Sequence, residues 1–106
     1  MSIAEHVLIL ETRYRIFKRV RKKLEHASRE KFEEIIRGYD AMPWYKKFLD
    51  TLSAGFGCGI SEKGLEYQIS KFTIDNNLGD EERRRHWAGT EKYFRKPLER
   101  YILIDD

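Results

Sequence analysis

The chain has a single cysteine, Cys58, so no intrachain disulfide can form. That excludes the small disulfide-stapled secreted scaffolds and points to a reducing, intracellular setting. Long apolar runs are also missing. The longest near the start is Val7–Leu10, far short of a membrane span or a signal-peptide core, and the basic residues follow it instead of preceding it. A cytoplasmic protein with no membrane partner is the expectation. There are only two prolines, and three of the seven glycines sit within Gly55–Gly59, so most of the chain is free of helix breakers.

Signatures of chemistry are equally sparse. The glycine segment has no Lys-Ser/Thr to complete a phosphate-binding loop and no strand before it. Cys58 has no identifiable base and no neighbouring positive charge to lower its pKa, which argues against a catalytic thiol. Glu82 and His86 stand at i and i+4, and His6 or His26 could join them around a metal. However, the spacing differs from the Glu-x-x-His of di-iron bundles. No nucleophile with partners can be named, so the expectation is no enzyme, no cofactor and no metal.

What is present is charge, aromatic surface and helical periodicity. At 106 residues, with 41% hydrophobic, 13% aromatic and 37% charged side chains, residues 1–106 can build one modest core as a single domain. Ile3, Val7, Leu10, Tyr14, Phe17, Val20 and Leu24 recur at steps of three and four, the spacing of one helical face. Phe32, Ile35 and Ile36 continue the stripe to Gly38. This favours one long helix of about 35 residues over two helices broken near Ala27 and capped by Ser28.

A short helix over Pro43–Ser53 follows, with Trp44, Phe48, Leu49 and Leu52 on one side. Ser61 can cap a further helix carrying Leu65, Ile69 and Phe72. Asp80 is the expected N-cap of a last helix marked by Trp87, Ala88, Tyr93 and Phe94, which Pro97 interrupts or restarts. Tyr101–Ile104 could close the chain as helix or strand, and Trp44 and Trp87 read as core anchors. Together these features predict an all-α fold, a small bundle of four or five helices with a long amphipathic N-terminal helix.

The net charge of +3 is unevenly spread: residues 1–38 carry +4, residues 39–80 carry −2 and residues 81–106 carry +1. The segment Arg13–Lys23 holds seven cations and no acid. Arg15, Lys18, Arg19 and Lys22 fall in one stripe, flanked by Arg13, Arg21 and Lys23. Arg83, Arg84 and Arg85 form a second cluster, and Trp44–Lys47 mixes aromatic and basic groups as single-strand-binding surfaces do. Contact with nucleic acid or a nucleoprotein complex is therefore one expectation, through Arg13, Arg15, Lys18, Arg19, Lys22, Lys23, Arg83 and Arg84. The alternative is a protein-interaction module, of the inhibitor, immunity-type or adaptor kind, docking on an acidic protein surface or forming a homodimer. Convergence of the cations on one surface with few acids would favour nucleic acid. Interspersed glutamates would favour protein.

Residues Gly59-Ile60-Ser61-Glu62-Lys63-Gly64-Leu65 resemble the turn and recognition-helix start of helix-turn-helix DNA-binding proteins. That resemblance implies that Ser61, Lys63, Tyr67 and Gln68 face the groove. The sequence departs from the pattern at Gly55, Gly57 and Gln68. An ordinary capped helix after a glycine loop is the competing reading.

Overall fold

The computed structural model describes residues 2–53 and 59–103. Among them are five helices and no strand: α1 (Ile3–Leu24), α2 (Arg29–Asp40), α3 (Trp44–Ser53), α4 (Glu62–Asp75) and α5 (Asp80–Glu99). The all-α bundle with a long first helix is as expected. Gly55, Gly57 and Cys58 lie outside the described residues.

Helix α1 starts where the Ser2 hydroxyl accepts from the Glu5 N–H, and it ends with Arg21, Lys22 and Lys23 in its last turn, cations that complement the negative end of the helix dipole. The expected 35-residue helix does not form. The chain breaks after Leu24, and Ser28 restarts it by accepting from the Lys31 N–H. Burial explains the break: the turn carries α2 back against α4, where Phe32 is sealed from solvent. A continuous helix would carry Phe32 away from the core. Arg83, from α5, donates to the Ala27 carbonyl at 3.0 Å and places its guanidinium over the Phe32 ring, satisfying an acceptor that the break leaves without a helical partner.

Helix α1 packs against α4 and against α5. Phe17, fully buried at its centre, stacks on Phe94 at 5.4 Å and lies near Trp87 and Tyr14. Ile16 is buried beside it although it falls outside the three-and-four stripe. A helix flanked by two others needs that wider apolar arc. Leu65 and Ile69 of α4 and Leu98 of α5 complete the middle of the core.

Helix α4 begins as expected, with Ser61 accepting from the Gly64 N–H at 2.9 Å. It closes in a Schellman motif: Leu78 N–H reaches the Thr73 carbonyl, Asn77 N–H reaches that of Ile74, and Asn77 takes the left-handed conformation at φ 48°. Gly79, not Asp80, is the N-cap of α5, and the Glu82 carboxylate accepts from its N–H. Pro97 does not interrupt α5, which runs on to Glu99. Leu98, 2% exposed, anchors that last turn in the core and holds the helix past the missing N–H. Tyr101–Leu103 form a turn and bend instead of a strand, and Ile104 lies outside the described residues. The radius of gyration, 14.6 Å, exceeds the roughly 13 Å of a compact chain this long.

Candidate partner-binding surfaces

The cationic segment divides when it folds. Lys23 Nζ lies 2.9 Å from Glu66 and 3.7 Å from Glu62, and Arg19 lies 3.5 Å from Glu62. Arg21 pairs with Glu25 at 3.2 Å and also with Glu91. These links tie α1 to α4 and α5. The hydrogen bond from Lys23 to Glu66 raises the lysine's pKa above its ordinary value, against the opposing effect of burial. Arg13 turns inward, with its guanidinium 5.5 Å from the Phe94 ring and 5.9 Å from that of Tyr93. Lys18 lies over the Tyr14 ring at 5.0 Å while remaining exposed. Arg15, Lys18 and Lys22 are left as a solvent-facing line at steps of three and four.

The α5 arginines do come up beside the end of α1, where Arg21, Arg83 and Arg84 line one cleft. Glu25 and Asp80 line the same cleft. Arg83 is held by the Ala27 carbonyl and by Asp80, Arg85 sits 3.7 Å from Glu81, and Arg84 is exposed. Acids are therefore interspersed through both cationic clusters. The helix-turn-helix expectation also loses two of its four contacts. Ser61 is 4% exposed and Tyr67 stacks on Tyr39 of α2 at 4.4 Å, whereas Lys63 and Gln68 remain exposed.

Glu82 and His86 serve different ends. Glu82 closes the capping box, while His86 faces α4 and stacks on Phe72 at 4.3 Å. Burial lowers the His86 pKa, keeping the ring neutral. Phe72 and His86 form one end of an open apolar groove between α4 and α5, with Leu65, Ile69 and Phe94 lining it and Gly89 on its α5 wall.

The largest departure from expectation is α3. Trp44 is 77% exposed, Tyr45 50%, Phe48 57%, Leu49 59% and Leu52 55%. At roughly 100° per residue these five side chains fill one continuous arc of about 140°. The opposite, polar side is the more enclosed one: Lys47 and Asp50 are half-buried, and the Lys47 ammonium sits 4.8 Å from the centre of the Tyr39 ring. The helix is thus mounted inside out. Trp87 is a core anchor as expected, at 4% exposure, but Trp44 is not. Sequence reasoning found the amphipathic face of α3 and assigned its Trp44 to the core. The available signal was the run Trp44–Lys47, whose mix of aromatic and basic groups is typical of an exposed binding surface.

Among the described residues, no helix is long and apolar enough to cross a membrane. No protein-family model matches the chain, and neither curated proteins nor solved structures give a match.

Proposed function

We propose that this chain is a non-catalytic protein-interaction module that docks through α3. The inverted mounting of that helix carries the reading. Five large apolar side chains facing water form a contiguous patch of the kind that marks an interaction surface, whereas scattered exposed apolar residues would not. Trp and Tyr are also the residue types most enriched at interface centres. The pairing of Arg19 and Lys23 with Glu62 and Glu66 supports the same choice, because those cations act within the fold. A photoreactive residue at position 48, introduced in cells that make the chain, should yield protein adducts that Trp44→Glu with Leu52→Glu abolishes. The absence of any protein adduct, with this chain or another, would overturn the proposal.

Nucleic-acid contact is the second reading, supported by the exposed line Arg15, Lys18 and Lys22. Three phosphate contacts would give a salt slope of about −3 for duplex DNA in a log-log plot. Replacing the three by Glu should abolish oligonucleotide binding at low salt without unfolding the chain. A wild-type chain that binds neither single- nor double-stranded oligonucleotides at low salt removes this reading.

A further inference from the structure

We propose that the occupant of the α3 face is a second copy of this chain, packed about a two-fold axis. This rests on the docking role of α3 and names its partner. The exposed portions of Trp44, Tyr45, Phe48, Leu49 and Leu52 amount to about three whole side chains, or about 600 Å² of apolar surface at roughly 200 Å² for each. Two such faces together bury about 1,200 Å², the lower bound for a specific interface. A single copy of α3 therefore supplies half of what a dimer needs, and the second copy supplies the matching half.

The shape of the face agrees with that count. Its apolar arc contains no charged side chain, because Lys46, Lys47 and Asp50 all fall on the other side of the helix. A partner surface must then be apolar along about 15 Å of helix, and every molecule of this protein presents such a surface. In a two-fold arrangement residue i of one copy meets residue j of the other, and j meets i. With Phe48 on the axis and the helices antiparallel, Trp44 of each copy faces Leu52 of the other, and the large ring sits opposite the smaller side chain at both ends. The interface contains no charge pair to break, so its stability should change little with salt.

Sedimentation of the full chain over low to high micromolar concentrations tests this. The expected result is a mass of two chains at the upper end, falling towards one on dilution and insensitive to salt. Trp44→Glu with Leu52→Glu should give a monomer at every concentration, with its helical circular dichroism retained, while Lys22→Glu should leave the dimer intact. Phe48→Cys in a Cys58→Ser background should form an intermolecular disulfide under mild oxidation, because the axis brings the two positions 48 together. A chain that stays monomeric throughout overturns the proposal, as does a dimer that survives the double substitution. If the monomer's position-48 adducts are to a different protein, self-pairing fails while the docking role stands. Binding of the monomer to lipid vesicles through the same two residues, with no protein adduct, would overturn both.

Discussion

Helices α1 and α3 carry the same kind of sequence pattern and meet opposite fates. Both are amphipathic, with aromatic and aliphatic residues at steps of three and four and lysines on the other side. Helix α1 buries its apolar face between α4 and α5 and uses Arg19, Arg21 and Lys23 to hold those neighbours. Helix α3 turns its polar side towards the protein and its apolar face to water. Periodicity establishes that a helix has two faces, but what each face meets depends on the other elements. For α1 the partner surfaces exist within the chain. For α3 they do not.

The contrast is tested most strongly at the two phenylalanines. Phe17→Ala should cost about 3–5 kcal/mol in urea unfolding, because a fully buried ring leaves a cavity among Tyr14, Trp87 and Phe94. Phe48→Ala, measured in dilute solution where the chain is monomeric, should change stability by less than about 0.5 kcal/mol. Equal losses would mean that α3 is part of the monomer's core and would end the comparison.

A finer division lies within α1, between Lys23 and its neighbour Lys22. Lys23→Met should cost about 0.5–1 kcal/mol, the upper range for an exposed ion pair, since Lys23 is 58% exposed but Glu66 only 13%. Lys22→Met should cost nothing measurable. The pH dependence follows from the raised pKa of Lys23. Its contribution is fully present below the ordinary lysine value of 10.5 and is lost as pH rises through the higher folded value. Alkaline unfolding curves of the wild type and Lys23→Met should therefore converge above that range.

The smallest expected effect is at His86, whose pKa is lowered by burial. Between the folded value and the ordinary 6.5, the unfolded chain binds more protons than the folded one, so stability falls as pH drops through that window. His86→Phe keeps the stack on Phe72 and removes the titrating group. Its stability should be flatter across mildly acidic pH than that of the wild type, and parallel profiles would show that the ring titrates alike in the folded and unfolded chain.

The sequence made most of the architecture legible and little of its surface. Ser61 as a cap, the acids Glu81 and Glu82 in the opening turn of α5, and Phe17, Leu24 and Trp87 as core all follow from local rules, whereas the cap of α5 fell one residue earlier than expected, at Gly79. The break at Ala27 did not, because its cause is the distant burial of Phe32 against α4. Likewise, the basic stripe of α1 gave no sign that Glu62 and Glu66, about forty residues downstream, would lie beside Arg19 and Lys23. Pro97 misled for a similar reason: Leu98 binds the core tightly enough to outweigh one absent hydrogen bond.

The bond from Arg83 to Ala27 spans 56 positions, which bears on the order in which the chain can settle as it is synthesised. When the ribosome has made α1 and α2, the apolar stripe still runs on without interruption, and neither the packing surface of α4 nor the guanidinium that satisfies the turn has yet appeared. The direction of α2 is thus decided only when α4 emerges, and the turn's open carbonyl is satisfied later still, by the last helix. A nascent chain halted before Glu62 and the full-length protein should hold Ser28 in different company.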